Sequence, residues 1–314
     1  MAAGAAAPLL RRRFDLPKRP VLAAAAVAPV ALSVAAPASR TRDVATCALQ
    51  MWAYLTAYEM PNDDPQALRE RVHIHYPIKI DRAIGLGKIP TQRLQKLFSR
   101  EGEINNFERV LVWSHWAWFA VPHLAVAYVA LRRPKELGTA AARMYAVYDL
   151  GAVVYWTLPT APPWWAGAHG YLEELDGHVE VGEFGHRYDH SGVPLPVRRM
   201  MLEYGERFWG RRWNDLYDVL GGNPLAAMPS LHFATSLMAA RLLSEVDPVA
   251  GLVGWTYAAT LGMALVYLGE HYAVDVIAGG ALAEAVHRSA GPVTPAVHLL
   301  TRTLRRLREL AEDD

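Results

Sequence analysis

Two short stretches hold the residue types that phosphoryl chemistry needs. The first is Met228-Pro229-Ser230-Leu231-His232, and the second is His271-Tyr272-Ala273-Val274-Asp275. His271 and Asp275 are four residues apart, a spacing that stacks them on one face of a helix. A carboxylate there can accept from the Nδ1–H of His271, leaving Nε2 basic and aimed. Such an imidazole is either a nucleophile toward phosphorus or a general base for water. His232, from the other stretch, can protonate a leaving alkoxide and then activate an acceptor hydroxyl. Pro229 fits the first turn of a helix. The unpaired N–H groups of that turn, with the Ser230 hydroxyl, make a site for phosphate oxygens.

For the two stretches to cooperate, the elements around them must bring them together. A bilayer-crossing helix needs about 20 mostly apolar residues. Residues 108–131, 140–159, 225–244, 249–268 and 272–290 meet that length, and one of 21–38 or 44–60 is expected to add a sixth span. The first stretch opens the span at 225–244 and the second opens the span at 272–290. The helices between them form a hairpin, turning at Ser244-Glu245-Val246-Asp247-Pro248, so both stretches return to one membrane face. Residues 61–105 carry turn signals and amphipathic pieces, such as Arg93–Phe98, that suit helices lying along the headgroups. The expected fold is therefore all-α, a polytopic helical bundle with about six transmembrane helices and interfacial amphipathic helices.

Composition agrees with a membrane location. Hydrophobic residues make up 52% of 314, with 10 Trp and 14 Tyr. Mean hydropathy is only +0.05, but that mean hides segregation, with charge gathered into a few segments and long apolar stretches between them. A net charge of +1 gives no footprint for nucleic acid, and one cysteine, Cys47, excludes an internal disulfide framework and a Cys-rich metal site. The expected organisation is an Ala-rich N-terminal region over 1–43 and a span or interfacial helix with an outer amphipathic segment over 44–105. A membrane core follows over 106–290, with an outer loop at 160–222, and then a basic tail over 291–314. A cleaved leader over 9–38 is the competing reading of the start.

Basic residues in short loops set orientation. With six spans, Arg11–Arg13 with Lys18 and Arg19, then Arg132, Arg133 and Lys135, then Arg302–Arg308 all fall on one side. That side is expected to be cytoplasmic, holding both termini, with the histidines facing out of a plasma membrane.

Pro229-Ser230-Leu231-His232 and His271-Tyr272-Ala273-Val274-Asp275-Val276-Ile277-Ala278-Gly279 resemble the second and third signature motifs of the type 2 phosphatidic-acid-phosphatase superfamily. Leu231 and the segment Pro159-Thr160-Ala161-Pro162-Pro163-Trp164 are similar to the branch that includes inositol phosphorylceramide synthase. The resemblance implies a six-helix core, a phosphohistidine intermediate and no required metal or cofactor. It also implies His271 as nucleophile, Asp275 as its partner, His232 as acid and base, and Ser230 as a phosphate ligand. The implied substrates are membrane lipid phosphates or phospholipids. Transfer of a phosphoryl or phosphoalcohol group, with phosphoinositol in view, stands beside hydrolysis of a lipid or polyprenyl phosphate. A non-catalytic lipid transporter or interaction protein is the rival of another class.

Two departures from the superfamily pattern matter. The usual first motif is absent, and Leu265 stands where an Arg is normal. Developing phosphoryl charge needs cations. The candidates are Arg198 and Arg199 among the outer-loop arginines 187, 198, 199, 207, 211 and 212, then Lys79 and Arg82. Trp164 is expected at the substrate rim. Asp149, inside a span, is expected either at the substrate site or paired with Arg143. Trp113, Trp116 and Trp118 read as an interface belt or packing face. His169, His178, His186 and His190 are spaced too loosely for a strong metal site.

Overall fold

The computed structural model describes residues 1–99, 104–172, 196–210, 213 and 222–312. Among them are fourteen α-helices, confirming the all-α expectation. The N-terminal third contains α1 (Ala2–Leu10), α2 (Lys18–Ala35), α3 (Arg40–Glu59) and three short helices, α4 (Pro65–Glu70), α5 (His75–Ile84) and α6 (Pro90–Phe98). Then follow α7 (Asn106–Ala117), α8 (Val121–Arg132), α9 (Leu137–Thr157), α10 (Pro163–Ala168) and α11 (Met200–Trp209). The chain ends with α12 (Leu231–Val246), α13 (Pro248–Tyr267) and α14 (Ala273–Glu312).

Both candidate first spans are helical. Ser39 caps α3 by accepting from the Arg42 N–H, so only residues 36–39 separate α2 from α3, and the two pack as a hairpin. The segment expected as one span over 108–131 is instead a bent pair, α7 and α8, set at 59°. Pro122 lies in the first turn of α8; without an N–H, and with its ring against the preceding turn, it interrupts a continuous helix.

By length and apolarity α2 and α13 suffice to cross a bilayer, with α7–α8 as a third if the bent pair is one span. The others fall short for visible reasons. Helix α12 has 16 residues, and α9 carries Arg143 and Asp149. Helix α14 runs 40 residues, so the expected tail continues a helix as far as Glu312.

One core joins α8, α9, α12 and α14 through Val129, Met144, Tyr148, Leu231, Met238 and Ala283. A second joins α7, α11 and α13 through Leu111, Met201, Leu261 and Tyr267. One end of the bundle is closed by the α12–α13 turn. There Asp247 caps α13 through the Ala250 N–H (2.8 Å) and accepts from the Tyr128 hydroxyl (2.6 Å). Arg133 donates to the Val246 carbonyl (3.1 Å), and Arg143 pairs with Glu245 (2.6 Å).

The other end is built by the short helices and loops. Main-chain bonds there run from His73 N–H to Pro159 O (2.8 Å), from Thr160 N–H to Leu225 O (2.8 Å) and from Ala227 N–H to Thr160 O (3.1 Å). Helix α6 is turned inside out. It buries Thr91, Gln92 and Gln95 against the protein and exposes Leu97 and Phe98, the disposition expected of a helix at a lipid surface.

One orientation expectation is corrected. Arg11 donates to Asp63 (2.8 Å) and Glu59 (3.0 Å), and Arg12 to Asp63 (2.6 Å). Asn62, beside them, donates to Gly222 O (2.9 Å), just ahead of the first motif. The first basic cluster therefore lies at the end opposite Arg132 and Arg133. The cause is the α2–α3 hairpin, which adds a traverse and reverses the parity of everything before it.

Candidate active site

A shared backbone contact joins the two motifs. The Ser230 N–H donates to the Asp275 carbonyl (3.0 Å). Gly279 lies so close to the Ser230 carbonyl that a Cβ there would collide with it. Ser230 is the N-cap of α12, its Oγ accepting from the Phe233 N–H (3.3 Å). The side chain is fully buried and does not line the cavity described below. It positions the start of α12, where the sequence pointed to a phosphate ligand. Pro229 lies before the cap, not in the first turn, and its carbonyl accepts from the Tyr155 hydroxyl (2.9 Å).

His271 lies before α14, so the helical stacking expected of it and Asp275 is corrected: only Asp275 is in the helix. The pair meets for another reason. The Leu265 carbonyl accepts from the His271 N–H (3.0 Å), and Asp275 Oδ2 accepts from the Tyr272 N–H (2.9 Å), closing the first turn. This folds the His271 ring back, placing Nδ1 3.5 Å from Asp275 Oδ2. That is longer than an ordinary N–H···O bond. On its other side, His271 Nε2 lies 3.3 Å from His232 Nδ1.

Sequence reasoning missed Asp81. From α5 its Oδ2 and Oδ1 accept from the N–H groups of Ala273 (2.8 Å) and Val274 (2.9 Å). A buried carboxylate thus satisfies two orphan donors at the start of α14 and complements its dipole. Burial pushes the Asp81 carboxyl up to about 6; the two N–H bonds oppose that rise and Asp275 adds to it. Nothing local in the sequence reveals a contact across 192 residues.

His115 was missed too, hidden among tryptophans in a segment read as belt or packing. It lines a cavity of about 420 Å³ together with His232 and His271. Its ring centroid is 4.8 Å from that of His232, and Trp118 packs on His232 at 4.2 Å. Trp116 and Trp118 are cavity wall, whereas Trp113 is half-exposed and donates to Tyr204 (3.1 Å).

The two outer-loop arginines part company. Arg199 lines the cavity, its guanidinium 3.9 Å from the Trp164 ring centroid and its Nε buried without a partner among the described residues. Trp164 also lines the cavity, held by its N–H to Gly269 O (3.1 Å). Arg198 does not line it. It is 5% exposed and donates to Glu203 (2.7 Å) and Ser99 (2.7 Å), with Glu108 at 3.4 Å. Gln95 Oε1 accepts from the Arg198 N–H (2.9 Å), which turns that side chain away from the histidines.

Other candidates lie elsewhere. Asp149 accepts from Gln50 (2.9 Å) at an exposed position away from the cavity, and its proposed partner Arg143 is taken by Glu245. Lys79 and Arg207 are exposed, and neither these two nor Arg82 lines the cavity. His169 stacks on Trp165, centroids 3.7 Å apart. Arg187, Arg211, Arg212, His178, His186 and His190 lie outside the described residues.

The arrangement is a nucleophile-competent imidazole backed by a buried carboxylate, faced by a second imidazole and by one cation stacked on indole. Over 137 residues the chain is 29% identical to the inositol phosphorylceramide synthase of Candida albicans, covering 44% of this chain and 26% of that protein. Over 143 residues it is 27% identical to the inositol phosphorylceramide synthase catalytic subunit aur1 of Schizosaccharomyces pombe, covering 45% of this chain and 30% of that protein. The matched region spans less than a third of either relative. No solved structure matches the chain. The PAP2 superfamily matches residues 78–288, from α5 into α14 and through every residue of the histidine site. The chain belongs to the PAP2 superfamily of membrane phosphatases and phosphotransferases.

Proposed function

We propose that the protein is a membrane lipid phosphotransferase that carries a phosphoryl or phosphoalcohol group on His271 Nε2. The observation that carries this reading is the 3.3 Å approach of His232 Nδ1 to His271 Nε2, with Asp275 3.5 Å behind His271 Nδ1. In the first half-reaction the Nε2–P bond forms while the ester P–O bond breaks, and His232 gives its proton to the departing oxygen. Asp275 stabilises the charge that develops on the His271 ring. In the second, an alcohol attacks phosphorus, His232 takes its proton, and the N–P electron pair returns to Nε2. Arg199 supplies the cation that the missing first motif would have supplied.

Transfer is favoured over hydrolysis by the cavity wall, where Tyr54, Trp116, Trp118 and Phe119 limit water around the intermediate. Similarity to inositol phosphorylceramide synthases points to phosphoinositol as the group carried. The bundle crosses the plasma membrane with the site at its extracytoplasmic end. Arg132, Arg133 and Lys135 then face the cytoplasm, together with the continuing α14.

The test is incubation of the purified protein with labelled phospholipids and lipid phosphates, with and without an acceptor alcohol. A new phosphodiester and an acid-labile label on the protein are expected, both lost in His271→Ala and the diester lost in His232→Ala. Free phosphate as the sole product would make the protein a phosphatase. Full turnover by folded His271→Ala would sink the mechanism.

A further inference from the structure

His115 is buried, 5% exposed, yet neither ring nitrogen has a hydrogen-bond partner among the described residues. The neighbouring hydroxyls are committed elsewhere. Ser114 Oγ donates to Leu111 O (2.7 Å), Tyr257 Oη donates to Ser114 O (3.0 Å), and Thr235 Oγ1 donates to Leu231 O (2.7 Å). Polar atoms buried in this way are normally satisfied, and a wall residue can be satisfied from the cavity. A neutral imidazole offers one N–H and one lone pair, the complement of an alcohol oxygen.

Position narrows the role. His115 and Trp118 are three residues apart at the end of α7, and both pack on the His232 ring. That grip fixes His232 Nδ1 toward His271. In an in-line displacement the oxygen that leaves, or enters, lies across phosphorus from His271 Nε2.

We propose that His115 contacts the substrate, hydrogen-bonding the alcohol oxygen that departs or enters opposite His271; this rests on the phosphohistidine reading above. The proton still moves between His232 and that oxygen, the P–O bond breaks as the N–P bond forms, and the reverse occurs with the acceptor. His115 keeps its own protonation state throughout and holds the oxygen in line.

Two substrates that share a phosphoryl group separate this role from packing. One is a diacylglycerol phosphodiester and the other is the matching nitrophenyl phosphodiester. Nitrophenolate leaves as a stable anion and needs little help, whereas an alkoxide needs a great deal. His115→Phe keeps a ring against His232 but removes both nitrogens, and His115→Gln keeps hydrogen-bonding capacity. For the full-length protein in micelles, His115→Phe should lower turnover of the lipid ester about 10- to 100-fold and of the nitrophenyl ester less than about three-fold. His115→Gln should recover most of the lipid activity. Equal loss on both esters without relief by Gln, or no loss on either, overturns the proposal. A wild-type protein that acquires no labelled histidine from either ester overturns the underlying reading instead.

Discussion

Gly279 abuts the carbonyl of Ser230, and it is this contact that lets α14 close on the start of α12. The obstacle to any side chain is backbone, which cannot rotate aside. Gly279→Ala should therefore push the helices apart at the level of His232 and His271. A destabilisation of about 1–3 kcal/mol is expected from overpacking, with a larger loss of activity. Thermal unfolding in micelles and turnover on a lipid ester check both. An unchanged melting temperature would mean that the helices slide freely.

Asp81 makes stability depend on pH in an unusual direction. Its folded-state value, pushed up to about 6 by burial, lies above the roughly 3.9 of an unperturbed Asp. The folded state thus holds the proton more tightly than the unfolded one. The stabilisation from this group is fully present below about pH 4 and is lost as pH rises through about 6. Measured from pH 4 to 8, the melting temperature of wild type should fall relative to that of Asp81→Asn as pH rises to about 6, and the two curves should run parallel above it. Parallel curves throughout would remove Asp81 as the source.

Glu108, fully buried, lies 3.4 Å from Arg198 and accepts from the Tyr267 hydroxyl (2.8 Å). Removing Glu108 takes one of two carboxylates from the buried Arg198, which keeps Glu203, and leaves the Tyr267 hydroxyl without its acceptor. Glu108→Ala should cost about 1–3 kcal/mol, read as loss of the folded fraction after extraction. Replacing Glu108, Arg198 and Glu203 together by apolar residues should cost less than Arg198→Ala alone, which strands both carboxylates.

Arg199 and Arg198 should fail differently. Arg199→Ala removes a cation from the cavity wall, and the KM for an anionic donor should rise about ten-fold, in line with a lost charge-assisted hydrogen bond. Arg199→Lys should recover only part, because an ammonium lacks the planar stack on Trp164. Arg198→Ala should lower stability while leaving the KM of the surviving protein near wild type. Steady-state kinetics alongside melting curves separate the two.

The histidine pair was legible because its determinants are local: two motifs, each at a helix start, joined by a hairpin whose turn residues are plain. The all-α class followed from apolar length alone. The bend at Pro122 carried a signal that length counting passes over. Arg198 and Arg199 could not be told apart, since adjacent residues share every sequence property. Their difference lies in Gln95, a residue of α6 that holds the Arg198 backbone. Asp81 and His115 were missed for a related reason. A carboxylate in an amphipathic helix reads as solvated surface, and a histidine between tryptophans reads as packing. Each acquires its role from a segment far away in the chain. The reversed N-terminal cluster has a different origin, because one extra traverse changes the side of everything before it.

Thr160, fully buried, shares peptide hydrogen bonds with the segment ahead of the first motif, while Pro159 and Ala161 bond to His73. Trp164 is tied by its own amide to Gly269. The mouth of the cavity is thus drawn by main chain, whose bonding is indifferent to which side chains it bears. Substitutions at Pro162 or Trp164 can reshape what the mouth admits while the histidines behind it keep their register. Selectivity and catalytic geometry are in this way separable properties, and a change in headgroup preference does not require the reacting centre to be rebuilt.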